Sequence, residues 1–143
     1  MNETMDIERL MRALDNDKNE EIININNKKI SLIKNKMLQK LNLSRDKLIS
    51  YNKSLKNYKY VDDLKDIQYG CYVRWITLAN PKQIKLTNGG IICEIKVTDD
   101  GIILICKNYM NRFFQFKMSE NLIFQKLTNQ ENIILSAFDY LDK

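Results

Sequence analysis

The side chains that most often carry out chemistry in proteins are scarce in this sequence. None of its 143 residues is a histidine, so the chain offers neither a Ser–His or Cys–His nucleophile pair nor an imidazole ligand for a metal. Its three cysteines, Cys71, Cys93 and Cys106, lack the CxxC spacing of a zinc site, and we expect all of them to be small core residues. The sequence therefore predicts no metal site.

The acidic and glycine-containing motifs favour turns over catalysis. Asp99 and Asp100 stand directly before Gly101, where an aspartate accepts backbone hydrogen bonds in a tight turn. Neither this motif nor Asn88-Gly89-Gly90 stands between a strand and a helix, as a phosphate-binding loop does. We can nominate no catalytic pair. We predict that the protein is not an enzyme and uses no cofactor, and we identify no small-molecule substrate.

The distribution of charge is the feature that points to a partner. Residues 1–27 hold seven acids and three bases, residues 28–59 hold ten bases and one acid, and the remainder is neutral. Bases that neutralise phosphates give salt-dependent, sequence-independent binding to DNA or RNA. The alternative is a solvated lysine face in a chain whose Ile, Lys and Asn content is typical of an AT-rich genome. The candidate nucleic-acid contacts are Lys28, Lys29, Lys34, Lys36, Lys40, Arg45, Lys47, Lys53, Lys56, Arg74 and Arg112.

Aromatic side chains form a second candidate surface. Small β domains can bind nucleic acid or peptides by stacking or by cation–π contacts. The candidates are Tyr72, Tyr109 and Phe113, with Arg74 beside the first of them. Since side chains alternate along a strand, Tyr72 and Arg74 share one face, and we expect Trp75 on the opposite face to lie in the core.

The elements that must position these residues begin with helices. Apolar residues at helical spacing predict a short helix over residues 5–15 and a second over residues 30–41. Ser44 is a suitable cap for a third helix that continues to Tyr58. Leu41, Leu48 and Leu55 recur every seven residues, which would also suit one coiled-coil-like rod. The cap-like sequence around Ser44 instead favours a break between the second and third helices.

The second half of the chain changes to the period of strands. Cys71–Leu78, Ile84–Thr87 and Ile91–Val97 are separated by turn signals, and Asn88-Gly89 predicts a two-residue hairpin loop. That register would place Leu86 opposite Ile91 and Ile84 opposite Cys93.

Further strands are predicted near residues 102–106, 114–118 and 122–127, and a closing helix follows the capping-box sequence Thr128-Asn-Gln-Glu131. The expected fold class is α+β, with basic helices followed by a five- to six-stranded antiparallel SH3/Tudor-like barrel. An open meander packed on the last helix is the alternative. The expected domains are a helical region, residues 1–59, acidic over 1–27 and basic over 28–59, and a barrel with its closing helix, residues 60–143.

Four runs carry a resemblance over roughly residues 60–141. They are Tyr69-Gly-Cys-Tyr-Val-Arg-Trp-Ile76, Leu86-Thr-Asn-Gly-Gly-Ile-Ile92, Cys106-Lys-Asn108 and Ile123-Phe-Gln-Lys-Leu-Thr-Asn-Gln-Glu131. In this pattern the chain resembles a group of small proteins from large DNA viruses of amoebae and algae. The resemblance carries no catalytic motif. It implies a viral protein that is packaged in the virion or acts in the host cytoplasm.

The sequence as a whole predicts a protein that binds nucleic acid or packages a genome through its basic helices. The alternative is a structural or protein-interaction module, which associates with itself through the stripe Leu41, Leu48 and Leu55 and presents the barrel to a partner such as another viral protein. The N-terminus is acidic where a signal peptide is basic, and no apolar run approaches the roughly 18 residues of a membrane helix. We therefore expect an intracellular, reducing location and no membrane partner.

Overall fold

The computed structural model describes residues 7–19, 22 and 26–141. In that part of the chain it contains four α-helices and six strands, and every strand pairing is antiparallel. The helices are α1 Ile7–Asp15, α2 Asn27–Gln39, α3 Arg45–Ser54 and α4 Asn129–Leu141. The strands are β1 Tyr58–Val61, β2 Tyr72–Thr77, β3 Gly90–Thr98, β4 Gly101–Lys107, β5 Phe113–Lys117 and β6 Asn121–Lys126. The predicted α+β class is confirmed.

The six strands form one open sheet in the order β1-β6-β2-β3-β4-β5. The sheet is strongly bent, because Trp75 of β2 stacks on Phe116 of β5 with ring centroids 4.4 Å apart. In a flat sheet, strands three positions apart would be separated by about 14 Å. A β-bulge between Ile92 and Glu94 lies in the same region of β3. The strand pairing among the described residues gives an open, bent sheet. It does not show the predicted SH3/Tudor-like barrel.

The two faces of this sheet have different surroundings. The inner face carries one apolar core, whose buried members are Val61, Ile67, Val73, Trp75, Ile92, Leu104, Cys106 and Ile123. The opposite side, here called the outer face, packs against α2 and α3 over strands β1, β6 and β2. The buried residues of that contact are Leu38, Leu55, Ile76, Leu86, Leu122 and Phe124. Trp75 therefore lies in the core, as predicted.

The predicted break between the second and third helices is confirmed. The last helical residue of α2 is Gln39, Asn42 adopts a positive φ of 54°, and α3 begins at Arg45. The Ser44 hydroxyl caps α3 by accepting a hydrogen bond from the backbone N–H of Lys47 at 3.3 Å. The side-chain amide of Asn52 donates to Asn35 Oδ1 at 3.1 Å, which joins the two helices side by side.

The end of the third helix was predicted wrongly. The helix ends at Ser54, and Tyr58 is the first residue of β1, where it pairs with Lys126. The helical spacing of Leu55 and Tyr58 is compatible with both structures. Tyr58 is in a strand because it pairs with β6. The local sequence pattern could not predict this, since the partner strand is more than sixty residues away.

The predicted hairpin register around Asn88-Gly89 is also wrong. Leu86 forms an isolated bridge with Ile76, and β3 pairs with β2 through Tyr72 and Ile91. Gly89 has a φ of +89° and is packed so closely that an added Cβ would lie 2.2 Å from the Val73 carbonyl oxygen. The glycine therefore serves the contact with β2 in addition to the turn.

The chain divides into two compact units, residues 1–32 with 127–143, and residues 33–126. In the first unit α1 packs on α4, and the buried residues are Ala13, Ile22, Ile30, Leu127, Ile134 and Leu135. The predicted capping box is confirmed. The Thr128 N–H donates to Glu131 Oε1 at 3.0 Å, and the Glu131 N–H donates to Thr128 Oγ1 at 3.1 Å.

Two sequence-based boundaries can be placed on this structure. The boundary expected between residues 59 and 60 falls inside the second unit. The expected start of the first helix at residue 5 lies outside the described residues. Across the described ranges, the helices are too short or too polar to span a membrane.

Candidate nucleic-acid interface

The basic helices of the second unit keep most of their charge exposed. Seven of the predicted contacts lie between residues 33 and 59 of this unit, and the side chains of six of them are exposed: Lys36, Lys40, Arg45, Lys47, Lys53 and Lys56. None of the six forms an ion pair with an acid among residues 7–19, 22 and 26–141. Lys28 and Lys29 are also exposed and belong to the first unit.

Lys34 is the exception, and its prediction as a phosphate contact is wrong. Its side chain is only 3% exposed. The ammonium donates to the carbonyl oxygens of Leu55 at 2.7 Å and of Lys56 at 3.3 Å, directly after the end of α3. Burial lowers the pKa of the Lys34 ammonium to about 8. The residue therefore joins α2 to the C-terminal end of α3 through backbone carbonyls that follow the last helical turn.

The apolar stripe proposed for self-association is already covered. Leu55 is fully buried, and Leu41 and Leu48 pack against the same cluster on the outer face of the sheet. The backbone N–H of Leu86 also donates to the Tyr51 hydroxyl at 3.3 Å, which attaches α3 to the segment after β2. Leu55 is therefore used in an internal contact, and Leu41 and Leu48 are partly used in it.

A line of side chains crosses four neighbouring strands on the outer face. Tyr72 pairs with Ile91, Ile91 pairs with Lys107, and Lys107 pairs with Phe113. Paired residues in antiparallel strands project to the same side, about 5 Å apart. We call Tyr72, Ile91, Lys107 and Phe113 the cross-strand row. It begins beside the helix-covered strands and ends at the free edge strand β5.

The two ends of the cross-strand row differ in exposure. Tyr72 is half-buried, and its hydroxyl donates to the Asn88 carbonyl oxygen at 2.6 Å. Phe113 is 65% exposed and Ile91 is 46% exposed. The Lys107 ammonium lies 5.9 Å from the centroid of the Phe113 ring, a weak cation–π contact at an exposed site. A flat ring and a cation are thus presented together to solvent.

Arg74 and Tyr58 continue this surface toward the helices. The Nε–H of Arg74 donates to the Thr87 carbonyl oxygen at 2.7 Å, which fixes the guanidinium on the outer face. Burial raises the pKa of Tyr58, while the nearby Arg74 charge lowers it and Tyr72 raises it. Strand pairing also places Tyr58, Tyr72 and Arg74 on the same face of the two strands that flank β6. Tyr58 also pairs with Lys126, which is exposed.

The turn between β4 and β5 extends the exposed end of the row. Asn108 organises this turn, because its Oδ1 accepts hydrogen bonds from the N–H groups of Met110 at 2.9 Å and Arg112 at 3.0 Å. Tyr109 is 82% exposed and Arg112 is exposed. Arg112 directly precedes Phe113, and Tyr109 lies two residues after Lys107. Two aromatic rings and two cations therefore lie at one corner of the sheet.

Sequence reasoning identified part of this surface. It named Tyr72, Arg74, Tyr109, Arg112 and Phe113. It missed Ile91, Lys107 and Lys126, whose positions depend on the cross-strand register. The alternation of Ile91, Ile103, Ile105 and Lys107 with buried residues could have indicated a solvent-facing strand side, but the apolar run 102–106 hides that alternation.

The cysteines do not add a metal centre. Cys106 is buried as expected, and burial raises the pKa of its thiol to about 12. Cys93 is exposed at the bulge in β3, so its expected core position is wrong, and Cys71 is half-buried. Among the described residues, no group of cysteine and acidic side chains is placed to hold a metal ion.

Searches against protein-family models, curated proteins and solved structures returned no match to this chain.

Proposed function

We propose that this protein binds nucleic acid without catalysing a reaction, and that lysines and arginines of α2 and α3 make the phosphate contacts. The observation that carries the proposal is the exposed set of six bases on the helical hairpin, without an ion pair to any described acid. Asp46 is the one acid among residues 28–59. Such a surface attracts a polyanion and gains free energy by releasing its counterions.

The packing of the hairpin supports this role. The apolar sides of α2 and α3 are used against the sheet, through residues such as Leu38 and Leu55. The basic side chains therefore project away from the sheet, where a phosphate backbone can reach them. Binding through this surface needs no closed SH3/Tudor-like barrel. A genome-packaging role would use the same contacts, and the resemblance implies that the protein is packaged in a virion or acts in the host cytoplasm.

A salt titration with a labelled DNA oligonucleotide tests the proposal. If about four phosphates are neutralised, affinity falls by about 50- to 150-fold between 50 and 200 mM salt. The double variant Lys36→Glu/Lys40→Glu should bind more weakly, and its salt slope should fall by about 1.4 to 1.8, because each contact contributes about 0.7 to 0.9. Fluorescence anisotropy measures both quantities.

The matched control is Lys65→Glu/Lys82→Glu, which changes the net charge equally at two exposed sites outside the helices. This variant should keep an affinity close to that of the wild type. Binding that does not depend on salt contradicts the proposal. An equal loss in the two double variants would show that net charge alone, and not the helical surface, determines binding.

A further inference from the structure

The basic hairpin and the cross-strand row lie on the same side of the sheet. The buried contacts of α2 and α3 include Ile76, Leu122 and Phe124, which are on the outer face of β2 and β6. Tyr72 and Arg74 belong to that same face of β2, and pairing carries the face through Ile91 to Lys107 and Phe113. A ligand that touches the helices on this side can therefore continue onto the open strands.

The open part of the outer face combines cations with apolar surface. Lys107, Lys96 and Lys117 lie on it, against one acid, Glu94. Between them are the half-buried Ile103 and Ile105 and the exposed Phe113. A positively charged surface with an accessible ring suits a flexible polyanion that also has flat, apolar groups.

The form of nucleic acid follows from what Phe113 can reach. In a duplex the base faces are stacked inside the helix, so an exposed ring on a sheet cannot stack on them. A single strand turns its bases outward, and stacking on aromatic side chains then adds to the phosphate contacts. The exposed rings of Tyr109 and Phe113 can therefore stack on the bases of a single strand but not on those of a duplex.

We infer that the cross-strand row is a base-stacking surface and that the preferred ligand is single-stranded nucleic acid. The inference rests on the proposed function, since the helical lysines supply the phosphate contacts. Phe113 stacks on one base and Tyr109 extends the platform. Lys107 and Arg74 face the backbone of the bound strand. A protein or peptide ligand is the competing occupant, and the cation excess on this face disfavours it unless the partner is acidic.

The test compares a 12-nucleotide oligothymidine with a 12-base-pair duplex, using the full chain at 50 mM salt. The wild type should bind the single strand more tightly. Phe113→Ala should lose about 5- to 150-fold in affinity for oligothymidine, the range found for removing one stacking side chain. Phe113→Trp should retain binding, because the larger ring also stacks. Tyr140→Ala is the matched control, since Tyr140 is 63% exposed on α4 and lies outside the row.

The outcomes separate this inference from the proposed function. Salt-dependent binding that is equal for both ligands and unchanged in Phe113→Ala would overturn the stacking surface and leave phosphate binding by the helices intact. Absence of salt-dependent binding to either ligand would overturn both. Loss of affinity in Tyr140→Ala equal to that in Phe113→Ala would also contradict a specific role for the row. Circular dichroism of each variant establishes that it is folded.

Discussion

The outer face of the sheet has two halves, of which one is covered by helices and the other is open to solvent. Over β1, β6 and β2 the face is covered by α2 and α3, and Phe124 and Ile76 are buried there. Over β3, β4 and β5 it carries Ile91 and Phe113 with large exposed fractions. Both halves belong to one hydrogen-bonded sheet. The difference lies only in what covers them.

That difference separates stability from function. Apolar surface that stays in water gains none of the free energy of burial, about 25 cal/mol per Å². Phe113 therefore contributes little to the fold, whereas Leu55 on the helix side contributes much. Substitutions in the covered half should therefore change stability, and exposed substitutions in the open half should change binding without changing stability.

The largest effect is expected where the two halves join, at Gly89. Its alanine variant combines a positive φ with a Cβ 2.2 Å from the Val73 carbonyl oxygen. We expect the free energy of unfolding to fall by about 4 kcal/mol, from backbone strain plus overpacking. Gly70→Ala is the control, because its φ of +81° is similar but nothing lies near the added Cβ. Equal losses of stability in urea unfolding would contradict the importance of the close contact.

The next effect compares the covered half with the open half directly. Leu55→Ala removes a fully buried side chain and should lower the free energy of unfolding by about 3 kcal/mol. Phe113→Ala should change it by less than about 0.5 kcal/mol, because its side chain is mostly exposed. Chemical denaturation measures both variants. A large loss of stability in the second would show that the open half is part of the core.

A smaller effect distinguishes two lysines on the same helix. Lys34→Met keeps the stem of the side chain but removes the charged donor from the Leu55 and Lys56 carbonyl oxygens. The Leu55 oxygen keeps its hydrogen bond from the Tyr58 N–H at 3.0 Å, so we expect a loss of about 2 kcal/mol in unfolding free energy, the size of a hydrogen bond to a charged group. Lys36→Met should leave stability unchanged and reduce the salt slope of binding by about 0.7 to 0.9. A Lys34→Met variant that is as stable as the wild type but has a smaller salt slope of binding would contradict the structural role of Lys34.

The last effect is a pH dependence that belongs to Lys34. Burial lowers its pKa to about 8 in the folded state, below the ordinary value of 10.5. Between these values the unfolded chain binds more protons, so the Lys34 contribution to stability rises as the pH increases from about 8 to about 10.5. The wild type should therefore gain stability relative to Lys34→Met over this range. Unfolding curves of the two proteins at several pH values would contradict this if their difference stayed constant.

Much of the fold could be predicted from local patterns. The cap at Ser44 and the capping box Thr128–Glu131 were recognisable because both are satisfied within four residues of sequence. The α+β class followed from the change of period. Strand β1 was not predicted, because its partner β6 is more than sixty residues away in the sequence. No feature of Tyr58–Val61 indicates that partner.

The candidate site was less accessible to sequence reasoning for the same physical reason. Composition drew attention to the lysines, but only packing shows that Lys34 is buried and Lys36 is exposed. Phe113 was identified as an exposed aromatic candidate, while its neighbour Lys107 is adjacent only through strand pairing. The bulge in β3 and the wrong hairpin register concealed Ile91. Long-range register is the information that the pattern lacks.

The most direct test is an NMR titration of the full chain with a 12-nucleotide oligothymidine, recording backbone amide shifts. The account predicts that the largest changes occur around Lys107–Phe113 in the open half of the outer face and along α3. Small changes are expected at the inner-face residues Val73 and Leu104. Shifts that map to α1 and α4 instead, with the Lys107–Phe113 region unchanged, would contradict the claim that this side of the sheet binds the nucleic acid.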